Sequence, residues 1–518
     1  MPIFNAILRA FISLLIFLPA IAFAQTPAPV LEAGTIHISG EVSIPEKIRK
    51  DSVWLHLTIP QPFTGEYKIY KTLLDRHGRF TLKVNTTTNL VRGAARTDIN
   101  LENMITILLK TGHDNKIAFG YDEEGTINKA SVSGFPAFTE DDLLFSQRKL
   151  DDIIDYRSDK PRIALYDKPF SAFIEHAGNV IEDRRFLLDK PPFVSGNMKE
   201  ILFREYSLNL FEGHVFSYQE EMMRNYSNLH NGAFPDSALI RMPVRQDYTF
   251  LKTLDLNNPL YLLNYAYPSF AKEMLQNPAL DLPPIHDTPV REWLAQVKGI
   301  LAPLLGFDEG QFYDVLAGNA YGLQFEHEVT PLTDKQVEHI KKHYKGSDMQ
   351  KILLRRNQEI IAQSRLKEAA VIRPTPTVPP AELMSAIISR YKGKTVVVDF
   401  WATWCVPCLE AIGESRSLKK ELSGKDVVFI YISNPSSPKK QWEQYIRGIG
   451  GEQYYLTRGE WEHIMETHKF SAIPTYFVYD KQGELKLQMT GYPGNKDMQK
   501  LIMDIRAGKV PGNVRMEE

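Results

Sequence analysis

The hydrophobic positions follow a different period in each of three successive parts of the chain. Between about residues 31 and 135, apolar and polar side chains alternate, as in residues 35–40 and 52–59. Such alternation predicts half-buried strands, and turn residues at 75–78 separate further segments of the same kind. Many short strands at this spacing favour a sandwich or barrel. We therefore predict an all-β, sandwich-like domain over residues 31–135.

Between residues 136 and 370 the hydrophobic period is helical. Two sets of apolar residues each fall on one helical face: Phe173, Ala177, Val180 and Ile181, and Leu143, Leu150 and Ile154. Prolines at positions 191, 192, 259, 283, 284 and 331 predict breaks between helices. Because no fixed repeat length is visible, a solenoid is not indicated. We predict an irregular all-α domain over residues 136–370.

A proline-rich segment, residues 371–382, separates this region from a third pattern. Its composition predicts a semi-rigid linker. After it, residues 395–400 form a β-branched run typical of a strand buried on both faces. A helix, a second buried strand, a hairpin around residues 480–483 and an amphipathic helix follow. This order of elements predicts an α/β domain over residues 383–510.

Residues 1–24 have the pattern of an export signal. Arg9 supplies a positive charge, residues 10–22 are predominantly apolar, and small residues precede the predicted cleavage before Gln25. The apolar stretch is shorter than the roughly 20 residues needed to span a bilayer, so a signal peptide is favoured over a membrane anchor. We expect a mature chain outside the cytoplasm without a transmembrane segment, in the periplasm if the source is a Gram-negative bacterium.

Composition narrows the possible functions. Of the 518 residues, 24% are charged and the formal net charge is −2. Because a nucleic-acid-binding surface normally leaves an excess of Lys and Arg, nucleic acid is not an expected partner. The two cysteines, Cys405 and Cys408, are too few for a disulfide scaffold or a thiolate-rich zinc site. His339 and His343 have helical spacing for metal binding but lack a third ligand, so we predict no metal.

The candidate chemistry lies at Cys405-Val406-Pro407-Cys408. A predicted strand ends at Phe400 and a helix begins near Cys405, where free backbone N–H groups and the helix dipole stabilise a thiolate. Cys408, one turn deeper, is close enough to attack a mixed disulfide formed by the first cysteine. We predict Cys405 as the exposed nucleophile and Cys408 as the resolving cysteine. A structural disulfide is the alternative, but so short a loop constrains the unfolded chain little.

Residues 398–408, Val-Asp-Phe-Trp-Ala-Thr-Trp-Cys-Val-Pro-Cys, resemble the active site of thioredoxin-fold proteins. Ile473-Pro474 precedes the predicted hairpin, where that fold carries a cis-proline loop. The chain is similar to the TlpA/ResA-type branch of thiol-disulfide oxidoreductases over roughly its last 130 residues, the length of one domain. The resemblance implies a thioredoxin fold, a redox-active Cys405–Cys408 disulfide without any other cofactor, and protein disulfides as clients.

The same resemblance assigns roles to residues near the cysteines. Asp399 matches the buried acid that in thioredoxins helps deprotonate the resolving cysteine, and burial would raise its pKa; a polar residue at a strand end is the alternative. Pro474, if cis, places the backbone of Ile473 against the cysteines, where it pairs with an extended substrate segment.

Further residues are predicted to form the substrate-binding surface. Trp404 shapes this surface beside Val406 and Pro407, whereas Trp401 either contributes to it or packs in the core. The family often carries a glutamate three residues after the second cysteine, but this chain has Glu410 one position early. The role of that glutamate stays open.

These observations predict an exported thiol-disulfide oxidoreductase. We expect a reductase of protein disulfides that is kept reduced by a membrane thiol-reductant donor. Two alternatives stay open: a disulfide oxidase or isomerase of the same fold, and a binding or assembly protein with an accessory redox domain.

Overall fold

The computed structural model describes residues 28–50, 52–134, 138–145, 153–154, 162–233, 235–236, 239–327, 329–365 and 369–509. The predicted signal peptide and Leu150 lie outside these residues. None of the helices in the described ranges combines the length and the apolar character needed to cross a membrane.

The first region contains strands that form two four-stranded sheets around one hydrophobic core. The strands are β1 (Thr35–Ser43), β2 (Trp54–Gln61), β3 (Glu66–Leu73), β4 (Arg79–Asn85), β5 (Leu90–Thr97), β6 (Ile105–Lys110), β7 (Asn115–Tyr121) and β8 (Ile127–Ser133). One sheet has the order β4-β1-β7-β8 and the other β3-β2-β5-β6. Alternate residues such as Ile38, Leu57 and Ile107 are buried between them, because side chains on a strand point to opposite faces. The predicted all-β, sandwich-like region is confirmed.

The middle region is helical, as predicted. Its α-helices within the described ranges are α1 (Glu140–Leu144), α2 (Phe170–Asp189), α3 (Gly196–Leu210), α4 (Tyr218–Leu229), α5 (Ala266–Gln276), α6 (Val290–Leu305), α7 (Gln311–His327), α8 (Asp334–His343) and α9 (Asp348–Ser364). Phe173 and Ala177 of α2 face the core of this region. Leu143 and Ile154 do not share a helix face, because α1 ends at Leu144 and Leu143 packs against the sandwich, whereas Ile154 packs in the helical core.

The turn between β2 and β3 is inserted against α7. Gly318 and Gly322 lie so close to this turn that added Cβ atoms would come within 1.9 Å and 2.3 Å of its backbone carbonyl oxygens. Between the two glycines, Asn319 Nδ2 donates to the carbonyl oxygen of Pro62 at 2.8 Å. The lack of side chains on one face of α7 therefore allows the sandwich and the helical region to pack backbone against backbone.

A buried ion pair also joins these two regions. Arg92 of β5 lies 3.3 Å from Glu205 of α3, and both side chains are 1% exposed. Glu205 also accepts hydrogen bonds from the backbone N–H groups of Tyr265 and Ala266, at 2.8 and 3.1 Å. Because a buried charge left without its partner costs about 3–5 kcal/mol, any packing of the two regions that buries Arg92 without Glu205 is disfavoured.

The third region is the predicted α/β domain. It contains β9 (Ala370–Ile372), α10 (Pro380–Ser389), β10 (Thr395–Phe400), α11 (Val406–Leu422), β11 (Val427–Ser433), α12 (Lys439–Ile449), β12 (Gly451–Tyr455), α13 (Arg458–His468), β13 (Thr475–Tyr479), β14 (Leu485–Thr490) and α14 (Asn495–Arg506). The six-stranded sheet has the order β14-β13-β10-β11-β12-β9. Strand β10 is buried along its whole length, because α10 and α13 cover one side of the sheet and α11 and α14 the other.

The segment predicted as a linker, residues 371–382, is built into this domain at both ends. Strand β9 pairs in parallel with β12, and the N–H of Arg373 donates to the carbonyl oxygen of Gln453 at 2.9 Å. Pro380 opens helix α10. A proline-rich segment has extended backbone. Such backbone suits a linker, and it also suits a strand at the free edge of a sheet. Composition alone therefore did not reveal this edge strand.

Candidate active site

The two cysteines form a disulfide at the start of α11. Cys405 is the N-cap residue of this helix, and its sulfur accepts a hydrogen bond from the N–H of Cys408 at 3.2 Å. The first N–H groups of a helix lack intrahelical partners, and the helix dipole adds partial positive charge there. A negative charge on Cys405 is therefore stabilised at the position where the sequence pattern placed it.

Cys405 is more buried than the sequence pattern predicted. Cys405 is 3% exposed and Cys408 is fully buried, so the prediction of an exposed Cys405 is wrong. The two sulfurs lie in a cluster with Trp401, Tyr431 and other apolar side chains. The position of a residue at a helix start can be inferred from its neighbours in sequence. Its burial depends on residues that are distant along the chain. Cys405 remains the more exposed of the two residues.

The loop before β13 lies over the disulfide. The Ile473–Pro474 peptide bond is cis, and the carbonyl oxygen of Ile473 lies 3.7 Å from Cys405 Sγ. Thr475 fixes the far end of the loop, because it pairs with Phe400 in the sheet and its hydroxyl donates to the carbonyl oxygen of Ala472 at 2.7 Å. A main-chain acceptor thus lies beside the reactive sulfur.

Asp399 of β10 is buried, with 5% exposure. Burial raises the pKa of Asp399 to about 7, although the Tyr476 hydroxyl and the Lys419 ammonium act in the opposite direction. Its Oδ1 has no hydrogen-bond partner within the described residues. A carboxyl with a pKa near 7 can exchange a proton at neutral pH.

Lys419 is a site residue that the sequence reasoning missed. It comes from α11, where it is buried and donates to the carbonyl oxygen of Ile449 at 2.8 Å. Its ammonium lies close enough to Asp399 to affect the pKa of that carboxyl. The spacing contained a signal, because Lys419 follows Cys408 by eleven residues and thus lies on the same helix face.

The remaining predicted residues fall in two environments. Trp404 is 61% exposed, and its Nε1 donates to Ser436 Oγ at 3.0 Å. Pro407 is exposed beside it, and the side chain of Val406 lies outside the description. Trp401 is fully buried and packs in the core. Of the two tryptophans, Trp404 is the one that borders the open surface.

The family match to known proteins lies in the α/β domain that contains the two cysteines. Residues 393–485 match the family described as Thioredoxin-like. Thiol-disulfide oxidoreductase ResA of Geobacillus kaustophilus is 28% identical over 119 residues, which are 23% of this chain and 67% of the relative. Thioredoxin-like protein YneN of Bacillus subtilis is 31% identical over 117 residues, 22% of this chain and 66% of the relative.

A solved thiol:disulfide interchange protein of Chlorobium tepidum covers 22% of this chain and 81% of its own, with 24% identity and a TM-score of 0.21. The family match lies in the C-terminal quarter of the chain, and the sandwich and the helical region lie outside it. Each of the other likenesses covers less than a quarter of the chain.

Proposed function

We propose that this chain, whose C-terminal domain is thioredoxin-like, is an exported thiol-disulfide oxidoreductase that reduces protein disulfides. The observation that carries the proposal is the position of Cys405 at the N-cap of α11, where its sulfur accepts the N–H of Cys408. Unpaired N–H groups at a helix start lower the pKa of a thiol and so provide a thiolate nucleophile near neutral pH.

The reduced protein would act in two exchange steps. The Cys405 thiolate attacks one sulfur of the client disulfide, which forms a mixed disulfide and releases the other client sulfur as a thiolate. The Cys408 thiolate then attacks Cys405 Sγ, which closes the internal disulfide and releases the second client thiolate. The burial of Cys408 supports this order, because a large client has no access to its sulfur.

Asp399 would accept the proton of Cys408 before the second step. Its pKa of about 7 allows it to be ionised and yet basic enough to accept a proton at neutral pH. The ammonium of Lys419 favours the ionised carboxylate and thus keeps this pKa from rising further. The client side of the exchange would involve Trp404 and the carbonyl of Ile473, which border the disulfide.

Export and the direction of electron flow complete the proposal. The pattern of residues 1–24 supports export. A single dithiol carries only two electrons, so it needs a partner that reduces it again after each cycle. We expect that partner to be a membrane thiol-reductant donor. An oxidase would use the same residues but would be supplied with oxidising equivalents instead, whereas an isomerase would regenerate its dithiol without net electron transfer.

The reduction potential of the Cys405–Cys408 pair tests the direction. The purified mature protein is equilibrated with mixtures of reduced and oxidised glutathione, and the fluorescence of Trp404, which directly precedes Cys405, reports the state of the pair. A potential near the roughly −270 mV of thioredoxin supports a reductase. A potential near about −120 mV would identify an oxidant and refute the proposed direction.

A separate comparison tests whether redox chemistry is the main activity of the chain. If it is, Cys405→Ser reproduces the phenotype of deleting the whole gene. If the variant keeps the wild-type phenotype, the sandwich and helical regions perform the main task by binding.

A further inference from the structure

The face of the thioredoxin-like domain that carries the cysteines opens on a cleft of about 2900 Å³. Trp404, Ala472 and Ile473, which flank the disulfide and the cis-proline, line one side of it. The other walls come from strand β3 of the sandwich and from helices of the middle region, including α5 and α7. The residues that flank the disulfide thus border a space that is lined by all three regions.

The size of the cleft indicates the class of occupant. Pockets for small molecules typically measure roughly 300–1,000 Å³, and this cleft is about three times the upper value. A low-molecular-weight disulfide would leave most of it empty. A polypeptide segment of several residues would fill it.

The thioredoxin-like domain is held against the other walls on two sides. Helix α12 packs on α7, and the carboxylates of Glu326 and Glu273 lie near enough to Tyr445 of α12 to contribute to its raised pKa. On the other side, Lys71 of β3 lies 3.0 Å from Glu414 of α11. The sandwich and the helical region are themselves joined by buried contacts, so the walls opposite the disulfide belong to one packed unit.

The walls suit an extended main chain. Tyr67 and Met223 provide half-buried apolar surface, while ion pairs such as Lys272 with Glu326 and Lys68 with Glu359, at 2.6 and 2.7 Å, place balanced charges beside it. Peptide groups need hydrogen-bonding partners when water is displaced, and mixed polar walls supply them. A folded protein, in contrast, would have to enter between walls from all three regions to reach the disulfide.

We infer that the cleft is the client-binding site and that it admits an extended polypeptide segment carrying the disulfide, while it excludes disulfides held in folded proteins. This inference rests on the proposed function, because it concerns the client of the same cysteine pair.

Trapping a client in the cleft tests the inference directly. The reduced full-length mature Cys408→Ser variant is mixed with an unstructured peptide that carries one disulfide and a photoactivatable benzophenone at each end. After illumination, mass spectrometry locates the cross-links within the mixed disulfide. We expect cross-links to the sandwich and helical walls, for example at Tyr67 and Met223. Cross-links confined to residues 369–509 would overturn the inference, whereas failure to form any mixed disulfide would overturn the proposed function itself.

Rates provide a second test that does not depend on trapping. The reduced wild-type protein is offered a small aromatic disulfide, the unstructured peptide, and the same peptide sequence inside a folded domain whose disulfide still reacts with dithiothreitol. We expect the peptide to react at least tenfold faster than the folded domain, and equal rates would refute the inference.

A bulky side chain in the helical wall should narrow the cleft. Met223→Trp is expected to slow the peptide at least threefold while the small aromatic disulfide reacts at the wild-type rate. The matched control is Met242→Trp, an exposed methionine outside the lining of the cleft, which should change neither rate. If both variants behave alike with the peptide, the helical wall does not contact the client.

Discussion

The buried carboxyl of Asp399 should destabilise the folded C-terminal domain at neutral pH, so Asp399→Asn is expected to stabilise it. Burial raises the pKa of Asp399 from an ordinary 3.8 to about 7. Below pH 3.8 the group is protonated in both the folded and the unfolded chain, and it has no effect on stability. Between pH 3.8 and 7 the folded chain holds a proton that the unfolded chain releases, so stability falls as the pH rises, and above pH 7 the loss is constant.

The size of this effect follows from the pKa shift. One pKa unit corresponds to 1.36 kcal/mol, so a shift of about three units costs about 4 kcal/mol at pH 8 and about 2 kcal/mol at pH 5.5. Asparagine has a similar shape and carries no proton equilibrium. The stability of Asp399→Asn relative to wild type should therefore increase by about 2 kcal/mol between pH 5.5 and 8.

Amide hydrogen exchange of strand β11 measures this difference in the full-length oxidised protein. The strand pairs with β10 in the centre of the sheet, and its slowest amides exchange through opening of the whole domain. At each pH the ratio of variant to wild-type rates cancels the intrinsic pH dependence of exchange. We expect that ratio to fall about 30-fold between pH 5.5 and 8, which corresponds to about 2 kcal/mol.

The control is Glu443→Gln, which removes an exposed carboxylate from α12 of the same domain. Its ratio of exchange rates should be the same at both pH values. If Asp399→Asn also gives a ratio that does not change with pH, Asp399 has an ordinary pKa in the folded protein. Its assignment as the proton acceptor of the resolving step would then be wrong.

Three further predictions concern the nucleophile, the packing of the first two regions, and export. Cys408→Ser should accumulate mixed disulfides with clients that dithiothreitol releases, whereas Cys405→Ser should form few; equal amounts on non-reducing gels would reverse the two roles. Gly322→Ala should lower the stability by about 1–3 kcal/mol, because its Cβ meets a backbone carbonyl of the β2–β3 turn. Gly178→Ala, with open space around the added Cβ, should not lower it, and thermal unfolding compares the two. The exported protein should begin at Gln25 by N-terminal sequencing, and an intact N-terminus would contradict the predicted cleavage.

Much of the fold could be predicted because it depends on local pattern. The sequence of strand β10 is a run of mainly β-branched residues, which predicts a buried strand. Alternating apolar and polar residues predict most strands of the sandwich. The start of α11 at the first cysteine follows from the same kind of information. The edge strand β9 could not be predicted, since its residues lie in a proline-rich segment and their strand character depends on pairing with β12, some eighty residues later.

The candidate site also combines residues that could be chosen from the sequence with features that could not. The residues to which we assign the chemistry, Cys405, Cys408 and Asp399, could be chosen from the sequence because they are adjacent to elements with a clear hydrophobic pattern. Lys419 was missed although its helical spacing from Cys408 was present in the sequence. The burial of Cys405 was beyond local reasoning, because the loop at Ile473 that lies over it comes from another part of the chain.

The amino-acid sequence by itself determined which residues we propose for thiol-disulfide exchange and which strand and helix carry them, because periodicity and helix-start signals act over a few residues. Only the tertiary structure showed the cleft beside them, through which we propose that a client reaches them. The cleft depends on the packing of α12 against α7 and of the sandwich turn against Gly322. These contacts join residues that are distant along the chain, and their fit is decided by shape complementarity between surfaces, which no local pattern records.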